Sequence, residues 1–298
     1  MERPMRRAIS AIVTCTAVLA AASGASAQAV VPLSVEADGT EFRALLSDGR
    51  TLRSRDMVGA TLVVALKGQA VRIRIDAVER DPDARNGTVW LHTLSGQAAD
   101  GTWQNLCGPG PDGRRQGFPL AGRPRADGMM EDAEPGVFEL VCTSGGQGKC
   151  VRFGYRPWPG ADGAGLRDLY NACIRMVRAD YCGDGRGWTR TGMAIDVFDD
   201  IGIQAAETRG DPGFSFEAGW TPGGAVCVAH PRVPENIDLA RLKSISPRLA
   251  GHMRRGTCVR GRRPHLRQLA LVLCAETESA DIVADGVDRT SSFVKGFG

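Results

Sequence analysis

The chain has 298 residues and a formal net charge of +3, from 37 lysines and arginines against 34 acidic residues. Its 38 glycines and its aromatic content of 6% favour strands and loops over long helices, and its length suits one large β-rich domain or two smaller ones. After the first 27 residues, no segment approaches the roughly 18 to 20 apolar residues that a membrane-spanning helix needs. The sequence therefore predicts no transmembrane segment in the rest of the chain.

Residues 1–27 have the pattern of a secretory signal peptide. Three arginines precede residue 8, residues 8–22 are almost all apolar or small, and Ala25-Ser26-Ala27 has the small-x-small form that signal peptidase requires. We therefore expect cleavage before Gln28 and export to the periplasm or the medium. The general secretory route fits these residues better than the twin-arginine route.

Residues 28–106 are predicted to be a β-rich N-terminal region. An apolar run at 60–66, a turn at 67–69 and a strict alternation of apolar and polar residues at 71–76 predict a hairpin with one exposed face. A further strand is predicted at 88–94. On that strand we expect His92 to be half exposed and not to be a ligand.

Residues 107–136 are predicted to be a glycine- and proline-rich loop or linker, because they show almost no periodicity. Gly108, Gly110 and Gly113 have the spacing of a dinucleotide-binding loop. Prolines at 109 and 111 interrupt that motif, and no helix pattern follows to bind a phosphate. We therefore expect no cofactor here or elsewhere in the chain.

Residues 137–235 are a cysteine-rich region with mixed patterns. Residues 137–142 and 149–155 flank a glycine-rich turn, which predicts a second hairpin. Apolar residues recur at helical spacing from about 164 to 179, so we predict one helix there, with Cys173 on its buried side. Short strands are expected at 193–198, 214–220 and 225–229. The predicted fold class is α+β, rich in β-structure and braced by disulfides.

Residues 236–298 form a basic C-terminal region. Nine lysines and arginines lie here without an intervening acid: Arg241, Lys243, Arg248, Arg254, Arg255, Arg260, Arg262, Arg263 and Arg267. Such a cluster can contact an anionic envelope polymer or surface, although a solvated arginine-rich face is the simpler interpretation. Because no aromatic residues are interleaved with these arginines, nucleic-acid binding is not indicated.

Removal of the signal peptide would leave eight of the nine cysteines: Cys107, Cys142, Cys150, Cys173, Cys182, Cys227, Cys258 and Cys274. An even number in an exported chain argues for disulfides. A structural metal is disfavoured because the chain has no Cys-x-x-Cys pair. Eight cysteines allow 105 connectivities, so the spacing leaves the pairing open. Our prediction is Cys142 with Cys150 across the second hairpin, Cys173 with Cys182, Cys258 with Cys274, and Cys107 with Cys227 by elimination.

Several motifs of the cysteine-rich region occur together. They are Gly154-Tyr155-Arg156-Pro157-Trp158, Arg178-Ala179-Asp180-Tyr181-Cys182-Gly183-Asp184-Gly185, Phe216-Glu217-Ala218-Gly219-Trp220 and Gly224-Ala225-Val226-Cys227. In these motifs the chain resembles the bacterial ADYC-domain proteins, which take their name from the four letters at 179–182. The resemblance is dense from about 107 to 227. It implies a place in the envelope or outside the cell, and it implies no catalytic residue, since the family has no established activity.

The sequence disfavours three kinds of site, two at the turn around Cys182 and one at 213–217. A calcium loop would begin at Asp180, but Cys182 and Thr191 stand where oxygen ligands are needed, so we expect no metal. A nucleophilic Cys182 is disfavoured because the carboxyl end of a helix opposes a thiolate. The segment 213–217 departs from the serine-hydrolase motif at its last position. The simpler expectation is that Asp180 and Asp184 shape a turn.

The catalytic candidates that remain are Asp180, Asp184, Asp196, Glu217 and His230. Glycoside cleavage needs two carboxyls about 5 to 9 Å apart, and tryptophans such as Trp220 could hold a sugar. We expect an exported, disulfide-stabilised binding or structural protein, with an envelope-polymer hydrolase as the alternative. A deep pocket that gathers two of these candidates would favour the hydrolase, whereas scattered groups would favour binding.

Overall fold

A computed structural model describes residues 10–12, 30–66, 69–84, 88–110, 112–159, 165–208, 211–252 and 273–278. The strands in these ranges are β1 (Ser10–Ile12), β2 (Pro32–Asp38), β3 (Glu41–Leu46), β4 (Thr51–Arg53), β5 (Thr61–Leu66), β6 (Gln69–Arg80), β7 (Trp90–Gln97), β8 (Trp103–Asn105), β9 (Gly117–Ala121), β10 (Arg123–Pro124), β11 (Met130–Glu131), β12 (Val137–Cys142), β13 (Ile195–Asp199), β14 (Phe214–Thr221), β15 (Gly224–Val228) and β16 (Leu273–Glu278). The α-helices are α1 (Gly146–Arg152), α2 (Arg167–Arg178) and α3 (Leu239–Ile245), and 3-10 helices span Ser54–Met57 and Pro247–His252. The predicted α+β class with mostly β-structure is confirmed.

The chain divides into two compact units. The first comprises Met1–Arg125 and Met130–Gly148, and the second comprises Ala126–Met129 and Lys149–Gly298. The boundary therefore falls inside α1. Within the described residues, no helix is long and apolar enough to cross a membrane. Apart from Ser10–Ile12, the predicted signal peptide lies outside those residues.

The first unit is built on a sheet that closes on itself. Its strands follow the order β6-β5-β1-β12-β9-β7, and β7 pairs again with β6, while β8 extends the sheet from β7. The pairing of β5 with β6 confirms the first predicted hairpin. A second sheet, β2-β3-β4, adds Val35 and Phe42 to a core that also holds Leu62, Ile75 and Phe138. Alternation along β6 therefore buries one face of the strand, as its period of two predicts.

His92 differs from its prediction, because it is fully buried. Its ring packs against Phe42 in a T-shaped arrangement with 5.3 Å between centroids, and its Nε2 lies 2.8 Å from Ser54 Oγ. Ser54 Oγ in turn accepts a hydrogen bond from the main-chain N–H of Phe42. The burial lowers the pKa of His92 to about 4, so its ring is neutral at physiological pH.

The predicted loop or linker at 107–136 contains three strands, β9 to β11. β9 lies between β12 and β7 and buries Phe118 and Leu120 almost completely. The prediction failed because the apolar part of β9 is only three residues long and includes Pro119. So short a run is indistinguishable from loop sequence until its sheet partners are known.

The second unit contains one antiparallel sheet of order β13-β16-β14-β15, with α2 packed against β14, β15 and β16. The predicted helix at about 164–179 is confirmed as α2, and the three predicted strands are confirmed as β13, β14 and β15. The second predicted hairpin is wrong. Residues 146–152 form helix α1 after the strand β12, in spite of two glycines.

Three of the four predicted disulfide pairs are also wrong. Cys107 bonds to Cys142 and Cys150 bonds to Cys173, because Cys150 lies on helix α1, where no hairpin brings it opposite Cys142. Cys227 is also disulfide-bonded. Cys182 is not in a disulfide, so it is not the expected brace of the helix end. Cys258 lies outside the described residues.

Candidate functional site

The segment 179–185 leaves the end of α2 in a left-handed turn. Ala179 has φ 52° and ψ 42° and is the one described non-glycine residue with a positive φ. Its side chain is fully buried, and its N–H donates to the carbonyl of Met176. A Cβ makes this conformation unfavourable for any residue but glycine, so the surrounding structure must hold Ala179 in it.

Asp180 holds the turn that follows. Its carboxylate accepts hydrogen bonds from the main-chain N–H groups of Gly183 at 2.9 Å, Asp184 at 3.2 Å and Gly185 at 2.9 Å. It also pairs with Arg175 at 2.5 Å, and both side chains are almost fully buried. Four donors saturate this carboxylate, so Asp180 shapes the turn, as its place before two glycines predicts.

Gly183 allows this turn to approach the loop between β14 and β15. Its φ is +75°, and a Cβ at this position would lie 2.2 Å from the carbonyl oxygen of Gly223. The N–H of Ala225, at the start of β15, donates to the carbonyl of Tyr181 at 3.0 Å. The close contact of two main chains explains why the turn needs glycine at 183.

Tyr181 connects the turn to the centre of the sheet. Its ring stacks on Trp220 with 5.1 Å between centroids, and its hydroxyl donates to Glu217 Oε1 at 2.7 Å. The Tyr181 hydroxyl oxygen also accepts a hydrogen bond from the main-chain N–H of Arg232 at 2.7 Å. Burial raises the pKa of Tyr181 well above its ordinary value, so the phenol stays neutral. Because Trp220 is fully buried, it cannot serve as a sugar platform.

Arg232 neutralises Glu217 and caps the helix. Its Nε lies 3.0 Å from Glu217 Oε2, and neither side chain is exposed. Its two terminal nitrogens donate to the carbonyls of Met176 at 2.8 Å and Val177 at 3.1 Å. Carbonyls at a helix end lack intrahelical partners, and a cation there is favourable.

The buried arginines were not anticipated from the sequence. Arg175, on α2, is almost fully buried, where it pairs with Asp127 at 2.8 Å as well as with Asp180. The only local sequence feature that indicates a partner for Arg175 is Asp180, five residues after it. Asp127 lies 48 residues away in sequence, so this contact depends on the tertiary fold.

Cys182 is half exposed at the end of this segment. Burial raises the pKa of its thiol, and the negative charge of Asp184 acts in the same direction. The thiol therefore stays protonated at neutral pH, which disfavours a nucleophilic role. The carbonyl of Cys182 accepts a hydrogen bond from Arg248 at 3.1 Å.

The guanidinium of Arg248 binds main-chain carbonyls of this turn and of the neighbouring loop. Its guanidinium donates to the carbonyls of Ala225 at 2.5 Å, Tyr181 at 2.8 Å and Gly223 at 3.0 Å. Arg241 and Lys243, on α3, are exposed. The basic residues from 254 to 267 lie outside the described residues.

The remaining acidic candidates lie apart from this turn. Asp184 is exposed, and its carboxylate accepts a hydrogen bond from the N–H of Arg186 at 2.9 Å. Asp196, on β13, accepts from the N–H and the hydroxyl of Thr208 at 2.8 and 2.6 Å. Asp199, at the end of the same strand, accepts from four main-chain N–H groups and from Tyr155. These carboxylates anchor loops.

His230 forms a serine–histidine pair that the sequence did not predict. Its Nε2 lies 2.9 Å from Ser215 Oγ, and its Nδ1 lies 3.3 Å from the carbonyl of Pro231. Both side chains are half buried. A catalytic serine–histidine pair is usually oriented by a carboxylate. Here a main-chain carbonyl occupies that position.

Glu217 thus accepts a hydrogen bond from Tyr181, the residue that follows Asp180, and each of the two carboxylates has its own arginine. Asp184, Asp196 and His230 have separate local partners. Within the described ranges, no group of three or more histidine, cysteine or acidic residues is placed to hold a metal ion.

The family model described as the ADYC domain matches residues 54–234, which is more than half of the chain. No curated protein and no solved structure matches the chain. The matched range contains the turn at 179–185 together with Glu217, Trp220 and Arg232, which contact it.

Proposed function

Because this chain belongs to the ADYC-domain family, we propose that it is an exported binding or structural protein of the bacterial envelope or extracellular space, held together by disulfides. Two disulfides among the described residues support an oxidising compartment. The signal-peptide pattern at 1–27 supports export.

One observation carries the non-catalytic part of this proposal. The acidic groups at the family motif are neutralised inside the fold, Asp180 by Arg175 and Glu217 by Arg232. A general acid must release a proton to substrate, and a nucleophilic carboxylate must reach it. Buried carboxylates that are saturated by arginines and main-chain donors serve stability instead.

An anionic envelope polymer is the partner that we propose. Arg241 and Lys243 project from α3 with exposed side chains, and the basic sequence continues to Arg267. Clustered cations attract polyanions, and this attraction weakens with salt. Co-sedimentation with lipopolysaccharide or with peptidoglycan sacculi tests the idea. The double variant Arg241→Glu/Lys243→Glu should bind several-fold less, whereas Arg43→Glu, at an exposed site on β3, should bind as the parent does.

One observation favours the hydrolase alternative, namely the contact between Ser215 and His230. The test is release of reducing ends or acyl groups from the same polymers, and cleavage of a simple aryl ester, by the purified protein. We expect no turnover above buffer. Turnover that disappears in Ser215→Ala or Asp196→Asn would overturn the non-catalytic proposal, since it would assign chemistry to these groups.

A further inference from the structure

The closed sheet of the first unit depends on a strand from the predicted signal peptide. β1 lies between β5 and β12 and is antiparallel to both. Its Ala11 is paired with Leu66 on one side and with Phe138 on the other. β5 and β12 are not paired with each other, so the width of one strand separates them.

Cleavage before residue 28 would remove β1 from this position. The main-chain N–H and C=O groups that it satisfies on β5 and β12 would then lose their partners. Both strands are mostly apolar, and Leu62, Val64 and Phe138 belong to the core. Unpaired apolar strands are templates for pairing with another chain, and folded proteins normally cover them.

The space that β1 would leave between β5 and β12 is called the gap below. Glu139 makes this gap favourable for a basic residue. It is buried on β12, directly opposite position 10 of β1. Its only hydrogen-bond donor in the described part of the chain is Gln147 Nε2, at 3.5 Å, and no described cation pairs with it. Residues opposite each other on neighbouring strands place their side chains on the same face. A basic residue at this position of an incoming strand would therefore meet Glu139.

We propose that the mature chain binds an extended, apolar segment of a partner protein between β5 and β12, antiparallel to both, with a basic residue opposite Glu139. The inference rests on the proposed export, because processing opens the gap, and it names a partner class for the proposed binding function. An incoming strand longer than β1 would pair with Val64 and Val63 of β5 beyond its C-terminal end. Beyond its N-terminal end it would pair with Leu140 and Val141 of β12. Main-chain hydrogen bonds on both sides supply affinity, and the residue opposite Glu139 supplies specificity.

The probe is a synthetic fluorescent peptide with the sequence of residues 7–14. It is titrated into the protein as the exporting cell processes it, after mass spectrometry has established the first residue. We expect saturable binding by fluorescence anisotropy. We also expect slower amide hydrogen exchange in Thr61–Leu66 and Val137–Cys142, with no change in β13–β15. The matched peptide Ala11→Pro, which lacks a central N–H, should bind at least about tenfold more weakly.

A second pair of variants tests the role of Glu139. The peptide Ser10→Lys should bind about tenfold more tightly than the parent peptide, and Glu139→Gln should abolish this advantage. Equal affinities of the two peptides for the parent protein would overturn the assignment of a basic residue.

Two results would overturn the binding gap itself. One is a processed protein that keeps residues 10–12, because its own strand then fills the gap. The other is a processed protein whose β5 and β12 amides are already protected and that ignores the peptide. Neither result bears on hydrolysis or polymer binding, which are measured separately, so a failure here is distinguishable from a failure of the proposed function.

Discussion

Arg232 and Glu217 form an ion pair whose two side chains have no exposure to solvent, with 3.0 Å between Nε and Oε2. A buried charge that loses its partner bears its full desolvation cost. We therefore expect Glu217→Gln to lower the free energy of unfolding by about 3 to 5 kcal/mol in urea denaturation.

The matched control for this pair is Glu36→Gln. Glu36 pairs with Arg43 at the surface of the three-stranded sheet, where both side chains are partly exposed. Its removal should change the stability by less than about 1 kcal/mol. Equal losses in the two variants would contradict the structural role of the Arg232–Glu217 pair.

The close contact at Gly183 predicts a second difference between matched variants. Gly183 and Gly192 both have positive φ, but a Cβ on Gly192 would meet nothing within 4 Å, whereas one on Gly183 would meet a main-chain oxygen at 2.2 Å. Gly192→Ala should cost about 1 to 2 kcal/mol from its backbone conformation alone. Gly183→Ala should cost at least about 2 kcal/mol more, since the two main chains must separate. Similar unfolding midpoints for the two variants would show that the contact is unimportant.

The disulfides predict both a connectivity and a stability. Peptide mass mapping without reductant should recover Cys107 joined to Cys142 and Cys150 joined to Cys173, and it should recover Cys182 as a thiol. The Cys150–Cys173 bond closes a loop with a sequence separation of 23. Its removal in the double alanine variant should lower the free energy of unfolding by about 3 kcal/mol. Recovery of Cys182 in any disulfide peptide would contradict this arrangement.

Glu139 predicts a loss of stability towards alkaline pH in the full 298-residue chain. Burial raises the pKa of this carboxyl from 4.5 to about 7, so the folded state favours the protonated form. Stability from this group is complete below pH 4.5 and is lost as pH rises through about 7. Glu139→Gln should match the parent at pH 4 and should exceed it by up to about 3 kcal/mol at pH 8. Parallel pH profiles of the two proteins in urea titrations would rule this out.

His92 predicts the opposite dependence. Burial lowers the pKa of its ring from 6.5 to about 4, so the folded state favours the neutral form. Stability from this group is complete above pH 6.5 and is lost as pH falls through about 4. In His92→Gln, the difference in unfolding free energy between pH 7 and pH 4 should shrink by about 3 kcal/mol. An unchanged difference would show that His92 is accessible to solvent.

Elements whose apolar residues recur regularly over several positions were predictable from the sequence. The alternation at 71–76 identified β6, and the apolar spacing in 164–179 identified α2, because each pattern reports burial on one side of an element. Helix α1 was missed because Gly146 and Gly148 make its sequence look like a turn. Its helical state depends on tertiary packing, which overrides weak local propensity.

The candidate site was predictable only as a turn. The sequence placed Asp180 before two glycines at a helix end, which is sufficient for a carboxylate to bind main-chain N–H groups. Its arginine partner, the stacking of Tyr181 on Trp220 and the pairing of Glu217 with Arg232 join residues up to tens of positions apart. Sequence spacing does not constrain such distances.

The sequence by itself therefore determined the β-rich class, the main helix, the export signal pattern and the glycine turn at 183–185, because each depends on residues close together in the chain. Tertiary structure alone decided which cysteines pair, which arginines are buried and which carboxylates they neutralise. These depend on the pairing of distant strands, and burial converts a neighbouring opposite charge from a weak contact into a structural requirement.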